Sequence, residues 1–105
     1  MKEIIYYKLK NGKCPYLEWY NSLDKGVKLI IDRRIDRLKL GNFGLHKKFD
    51  NLTEIKFTQG AGYRIYTFEL DDIIVILLHG GNKSTQNKDI KLAKIYLNEL
   101  KERYK

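Results

Sequence analysis

Two neighbouring stretches in the middle of the chain alternate apolar and polar residues with a period of two. Ile55 and Phe57 alternate with Glu54, Lys56 and Thr58. From Tyr63 to Leu70, the residues Tyr63, Ile65 and Thr67 alternate with Arg64, Tyr66 and Phe68. This period predicts two half-buried strands. A third strand, Ile73 to His79, is apolar on both faces up to its last residue, as expected of a central strand or one covered on both sides. Upstream, Lys2 to Lys10 reads as a strand rich in aromatic and β-branched residues, ended by Asn11-Gly12. Elsewhere the spacing changes to three and four. Pro15 suits the first turn of a helix running to about Ser22. Val27, Ile30, Ile31, Ile35 and Leu38 mark a second helix, from about Asp24 to Leu40, stopped by Gly41. Ile90, Ala93, Leu97, Leu100 and Tyr104 mark a last helix from about Gln86 to Tyr104. Gly41 to Asn51 reads as a loop. The order β-α-α-β-β-β-α predicts a single α+β domain over residues 1–105, with a mostly antiparallel sheet packed by helices.

Residues directly opposite in an antiparallel pair share a face. A three-residue loop, Gly60 to Gly62, pairs Phe57 with Ile65 and Lys56 with Tyr66, and Gly62 supplies the left-handed residue such loops need. Lys56, Thr58, Arg64 and Tyr66 then share one face. A two-residue turn at Asp71-Asp72 pairs Leu70 with Ile73 and Arg64 with His79. Lys56, Arg64, Tyr66 and His79 are thereby expected to converge near one end of the sheet. Beyond His79, the two glycines at 80 and 81 permit unusual backbone angles, and Ser84 or Thr85 can cap the helix that follows. A helix N-terminus beside Lys83 is suited to an anion.

Composition narrows the partners. Hydrophobic residues make up 43% of the 105, which excludes a disordered chain. The formal net charge of +8 points to an acidic partner: nucleic acid, ribosome or acidic protein. The single cysteine, Cys14, allows no internal disulfide, lacks a metal-spacing partner and reads as structural. The first residues, MKEIIYYKLK, are too polar for a signal peptide, and no apolar run approaches the roughly 20 residues of a membrane span. A cytoplasmic protein without membrane contact is expected. Trp19 reads as core. The mixed charges of the second helix read as a solvated face ahead of a dedicated RNA surface, and His46 as a surface residue ahead of a substrate contact.

The sequence contains no G-x-S-x-G, no P-loop, no H-E-x-x-H and no cluster of metal ligands, so neither metal nor cofactor is expected. No carboxylate pair is expected at the site, because Glu54 is placed at the far end of its strand from the turn. The remaining candidates are cationic and phenolic: Lys56, Arg64, Tyr66, His79 and Lys83. Such groups bind phosphate and stabilise charge growing on a phosphorane. RNA needs little more, since its own 2′-hydroxyl is the nucleophile once held in line with the phosphate. Lys56, Tyr66 and His79 are all eligible to carry protons. Thr58, Ser84, Lys47 and Lys48 are further candidate RNA contacts. The structural alternative for Arg64 is a cross-strand ion pair, to Glu69 or to a helix carboxylate.

Glu54-Ile55-Lys56, Gly60 to Tyr66 and Leu77 to Ile90 (LLHGGNKSTQNKDI) resemble the RelE/ParE toxin superfamily, in particular its HigB-like, phage-derived addiction-module killer proteins. Pro15 to Trp19 and Leu40 to Gly44 fit the same branch, so the resemblance covers nearly the whole chain. It implies a RelE-like fold and the toxin of a type II toxin–antitoxin pair. Most such toxins are metal-independent mRNA interferases acting on the ribosome. The implied partners are a cognate antitoxin with a helix-turn-helix domain, the ribosome and its mRNA, and operator DNA reached through the antitoxin complex. The implied catalytic positions are Lys56, Arg64 and Lys83, with Tyr66 and His79 as neighbours. This chain departs from the family pattern in three places: Lys56 stands where most members have arginine, Ala61 where proline is frequent, and Asn82 where aspartate is frequent. A lysine at 56 keeps the charge but loses bidentate phosphate geometry. Two other readings stay open: a ParE-like inhibitor of DNA gyrase without catalysis, and a toxin that retains only antitoxin binding.

Overall fold

In the computed structural model, which describes residues 1–104, five strands form one sheet with helices on both faces. The elements in chain order are β1 (Glu3–Tyr6), α1 (Pro15–Asn21), α2 (Lys25–Lys39), β2 (His46–Phe49), β3 (Leu52–Lys56), β4 (Arg64–Leu70), β5 (Ile74–Gly81), a single 3₁₀ turn (Lys83–Thr85) and α3 (Gln86–Arg103). The strand order is β1-β5-β4-β3-β2. β1 runs parallel to β5, and the other three pairings are antiparallel. The fold is therefore α+β with a mixed sheet, and among the described residues no helix is long and apolar enough to cross a membrane.

The period-two parity sorts the sheet as expected. Ile55, Phe57, Ile65, Val75 and Leu77 pack with Cys14 and Tyr16 at α1 and with Ile31 and Leu38 of α2. Leu52, Tyr66, Ile76 and Leu78 pack under Ala93, Leu97 and Leu100 of α3. Burying such an aliphatic side chain contributes roughly 1.5–3 kcal/mol. β5 is an interior strand, between β1 and β4, and is covered on both sides, which explains its unbroken apolar run. Trp19 is partly buried against the first cluster, and Cys14 is buried.

Several expectations are corrected. Residues 46–49, read as loop, form the edge strand β2. The first strand is shorter than Lys2–Lys10, covering Glu3–Tyr6. Tyr104 is 76% exposed and lies outside the buried stripe of α3. The β3–β4 register differs by two residues from the three-residue-loop expectation: Ile55 pairs with Ile65, Lys56 with Arg64 and Glu54 with Tyr66. The loop is longer because Phe57 N–H still donates to Tyr63 O (2.9 Å), leaving residues 58–62 to close the connection. That longer loop leans on the turn after β5, where Lys83 N–H donates to Ala61 O (3.2 Å). Gly62, at φ +70°, takes the left-handed conformation expected of it.

At the other hairpin Asp71 and Asp72 both adopt positive φ, as a primed two-residue turn requires, and Ile73 N–H closes it onto Leu70 O (3.2 Å). Leu70 nevertheless pairs with Ile74, and a bulge between Tyr66 and Thr67 shifts the register again. Thr67 pairs with Leu77 but Tyr66 pairs with His79, so Leu78 is the extra residue. His79 is thus opposite Tyr66 rather than Arg64. The bulge also turns His79 to the α3 side, where simple alternation from Leu77 would have placed it against α1.

Candidate active site

Two adjacent rows of side chains cross the α3 face of the sheet. Lys47, Glu54, Tyr66 and His79 are successive partners across β2, β3, β4 and β5, and Lys56, Arg64 and Gly81 are successive partners in the next row. The N-terminal turn of α3 covers the β5 end of these rows. Sequence reasoning anticipated this convergence of Lys56, Arg64, Tyr66 and His79, although not the row each occupies.

Two carboxylates join them, contrary to the expectation of none. Glu54 is fully buried, opposite Tyr66 rather than remote from the site, because of the two-residue register shift. Its Oε1 lies 3.6 Å from Arg64 Nη1, and Gln86 Nε2 donates to its Oε2 at 2.9 Å. The cross-strand ion pair foreseen for Arg64 therefore exists, with Glu54 as partner; Glu69 instead faces Lys2 and Lys48. Asp89 is the second carboxylate. It is 4% exposed and its Oδ1 is 2.9 Å from His79 Nε2. Thr85 Oγ1 donates to its other oxygen. A signal for Asp89 was present: residues 89, 93, 97 and 100 continue one helical stripe, so an acidic residue sits on the apolar face.

The glycines act by size. Gly80 and Gly81 are strand residues of β5 without positive φ, so the expected unusual backbone angles are absent. A Cβ at Gly80 would collide with the ring of Trp19, and one at Gly81 with the carboxylate of Asp89. The capping expectation holds in position only: Thr85 is the N-cap residue of α3, but its side chain makes no capping hydrogen bond to that helix. Asn82 caps the turn before it: its side chain accepts from Ser84 N–H (2.9 Å) and Thr85 N–H (3.2 Å), and Thr85 Oγ1 accepts from Asn82 N–H (3.2 Å).

Five buried polar atoms of this cluster have no hydrogen-bond partner among the described residues: Glu54 Oε1, Arg64 Nε and Nη1, Tyr66 OH and His79 Nδ1. They belong to four residues in two adjacent rows. An unpaired buried polar atom costs roughly 1–3 kcal/mol, a cost offset in part within the cluster, where Glu54 Oε1 faces Arg64 Nη1 at 3.6 Å. Burial, and then the charges of Glu54 and Asp89, push the Tyr66 phenol well above its ordinary range, so it remains a protonated hydroxyl.

The rest of the candidate set is more dispersed. Lys83 is exposed on the 3₁₀ turn, its Cβ close to Gly62, and Ser84 is exposed beside it. Lys83, Ser84 and Thr85 line a surface cleft of about 340 Å³ with Gln86, Asn87 and Lys88. Thr58 is exposed in the 58–62 loop. Lys47 shares the row of Glu54, whereas Lys48 pairs with Thr53 and its ammonium lies 3.7 Å from Glu69, on the α2 side. The site thus brings Lys47 toward it and leaves Lys48 out. His46 is exposed, its Nδ1 2.7 Å from Gly44 O. An apolar groove of about 350 Å³, lined by Ile5, Tyr6, Leu70, Ile74, Leu100 and Tyr104, lies toward the opposite end of β4 and β5. Among the described residues no group of three or more His, Cys, Asp or Glu side chains is arranged to hold a metal ion.

Sequence reasoning missed Arg34, which carries Lys56 from below. It is 7% exposed, stacks over Phe57 at 4.5 Å, and donates through Nη2 to Leu45 O (3.0 Å) and Lys56 O (2.6 Å).

No family model matches the chain. Over 75 residues it is 49% identical to a Haemophilus influenzae protein described as uncharacterized, an alignment spanning 70% of this chain and 76% of that protein.

Proposed function

We propose that this chain, which belongs to the same family as the Haemophilus influenzae protein, is the toxin of a type II toxin–antitoxin pair and cleaves mRNA on the ribosome. The observation that carries the reading is the pair of rows Lys47–Glu54–Tyr66–His79 and Lys56–Arg64–Gly81, with their buried, unpartnered polar atoms. Among the described residues Arg64 Nε has no protein acceptor and Nη1 only the Glu54 carboxylate at 3.6 Å, so a phosphodiester fits here, its oxygens satisfying both donors together. Lys56, one strand away, and Lys83, on the turn that touches the 58–62 loop, add positive charge around the same point. The α+β order, with Arg64 at the start of β4 and Lys83 after β5, supports a RelE-like topology. The resemblance of residues 54–56, 60–66 and 77–90 to that superfamily supports it independently.

In this mechanism Arg64 binds the scissile phosphate and stabilises the charge that builds on it. Lys56 and Lys83 hold the flanking backbone. The RNA 2′-hydroxyl attacks in line, forming a bond from O2′ to phosphorus as the bond to O5′ breaks. The cognate antitoxin, expected to carry a helix-turn-helix domain and to link the pair to operator DNA, would neutralise the toxin in the cytoplasm.

Induced expression of wild type and Arg64→Ala in a bacterial host tests the reading, with growth and primer extension on cellular mRNA as readouts. The expected result is growth arrest with new 5′ ends inside translated codons, both lost in Arg64→Ala. Arrest with intact mRNA and accumulating DNA breaks would instead point to gyrase, and no arrest would leave neither activity.

A further inference from the structure

Resting on the nuclease reading above, we propose that His79 is the group that takes the proton from the attacking 2′-hydroxyl, and that Asp89 and Thr85 are positioning residues that fix its ring. A continuous chain of hydrogen bonds carries the assignment. Asn82 N–H donates to Thr85 Oγ1, Thr85 Oγ1 donates to one oxygen of Asp89, and the other Asp89 oxygen lies 2.9 Å from His79 Nε2. A carboxylate can only accept, so Nε2 carries the hydrogen and the lone pair of the neutral ring sits on Nδ1. Nδ1 has no partner among the described residues. It shares the two rows with Arg64 Nε and Tyr66 OH, also without a hydrogen-bond partner, and with the Arg64 Nη1–Glu54 Oε1 pair, 3.6 Å apart. These offer donors for a phosphate and acceptors for a hydroxyl side by side, the combination that distinguishes RNA from DNA at a phosphodiester.

The alternatives to His79 are less suitable. Tyr66 is held as a neutral phenol by burial beside Glu54. Lys56 as an ammonium has three donors and no lone pair. Both oxygens of Glu54 already face protein groups, Gln86 Nε2 at 2.9 Å and Arg64 Nη1 at 3.6 Å, whereas His79 Nδ1 faces none among the described residues. The charged and titratable groups facing His79 are Tyr66 from β4, with rings 6.4 Å apart, and Asp89 and Tyr96 from α3, the latter edge-on at 5.8 Å. Glu54 lies beyond Tyr66 in the same row, and Arg64 lies in the adjacent row opposite Gly81. Gly81 belongs to the device, since only the lack of a Cβ there lets the Asp89 carboxylate approach β5.

The O2′ proton moves to Nδ1 as O2′ bonds to phosphorus, and the O5′ leaving group takes a proton from Lys56. A 2′,3′-cyclic phosphate results. The imidazolium then gives its proton to water, and Lys56 regains one from water.

The test uses the purified full chain with ribosomes programmed by a defined mRNA, followed from pH 5.5 to 9. It is paired with ¹⁵N spectra of the histidine rings. Wild type is expected to show an Nε2–H ring at residue 79 with bare Nδ1, and cleavage that rises with pH to a plateau. His79→Gln should lose roughly 10²–10⁴-fold and flatten the rising limb. Asp89→Asn should lose on the order of 10-fold or more and give a mixed tautomer population. Thr85→Val, which removes the hydrogen bonds of Thr85 Oγ1 with Asn82 N–H and Asp89 but leaves the Asp89 carboxylate on His79, should lose less and serves if Asp89→Asn does not fold. Cleavage by His79→Gln at the wild-type rate, with Arg64→Ala inactive, overturns the proton assignment and leaves the nuclease reading standing. A Nδ1–H ring in wild type overturns the relay. A rising limb lost in Glu54→Gln but kept in His79→Gln transfers the role to Glu54 and overturns the proposal. No cleavage by wild type overturns both readings.

Discussion

Adjacent glycines at positions 80 and 81 face opposite sides of β5 and serve opposite neighbours. Gly80 admits the indole of Trp19 from α1, and Gly81 admits Asp89 from α3. The strand is thus thinned on both faces at the point where it leaves the sheet. Gly80→Ala is expected to destabilise the protein by about 1–3 kcal/mol, the usual cost of forcing an atom into a filled core. In a Trp19→Ala background the same change should cost less than half as much, because the colliding ring is gone. Urea denaturation of the four proteins in this cycle checks it, and equal costs in both backgrounds would contradict the contact. The same scale shows which part of the site could be read from the sequence. Faces were legible: Ile55, Ile65, Tyr66 and Phe68 fall on the sides that parity assigns, and parity survives a two-residue slip of register. Rows were not, because the 58–62 loop leans on Lys83, 22 residues beyond Ala61, a contact that no local pattern announces. Glu54 was therefore placed far from Arg64 when it is its ion-pair partner.

The second and third strands owe their junction to a helix. β2 reads HKKF, with three exposed residues and no apolar alternation, so neither period marks it as an element. What holds this edge is Arg34 of α2. Its guanidinium reaches the carbonyls of Leu45, just before β2, and of Lys56, at the end of β3, while Lys56 N–H donates to Leu45 O at 2.9 Å. Burial pushes the Arg34 pKa down, yet an arginine stays charged there, and its planar fork serves two carbonyls that a lysine could not reach together. Removing it takes the guanidinium donor from both carbonyls and leaves Leu45 O with Lys56 N–H alone. Arg34→Met is expected to cost on the order of 2–4 kcal/mol. The loss should be local first: amide exchange in β2 and at Lys56 should accelerate more than exchange in β5. Arg34→Lys should recover only part of the loss. Uniform acceleration across the sheet would show that Arg34 supports the core generally and not this edge. Because Lys56 is carried by that edge, Arg34→Met should also reduce RNA cleavage in variants that remain folded.

At the scale of the whole molecule, the two ends of the described chain are tied together at the side of the sheet away from β2. Tyr7, just past β1, is 2% exposed and its hydroxyl donates to Glu99 Oε1 of α3 at 2.9 Å. Arg103 pairs with the same carboxylate, donates to Lys8 O at 3.0 Å and lies over the Tyr7 ring at 5.5 Å. α3 is therefore pinned at its start by Asp89 against His79 and at its end by Glu99 against Tyr7. Burial, reinforced by the hydrogen bond to Glu99 and its charge, pushes the Tyr7 phenol from 10.0 up to about 12. The sign of the linkage follows. Below about pH 10 the phenol is protonated in both folded and unfolded chains, so it makes no pH-dependent contribution. Between about 10 and 12 the unfolded chain releases the proton while the folded chain retains it, so stability falls as pH rises. Tyr7→Phe should be less stable than wild type near pH 8.5, by about 1–2 kcal/mol for the lost hydrogen bond to a carboxylate. Near pH 11 the gap should narrow by about 1 kcal/mol, since only wild type then loses stability through this group. Tyr16 and Tyr66, whose phenols are also raised by burial, titrate in both proteins and cancel in the difference. Denaturation curves of the pair at the two pH values measure it directly. A gap that stays constant from 8.5 to 11 would mean that the Tyr7 phenol titrates alike in both states, and that the clamp between β1 and α3 rests on Arg103 alone.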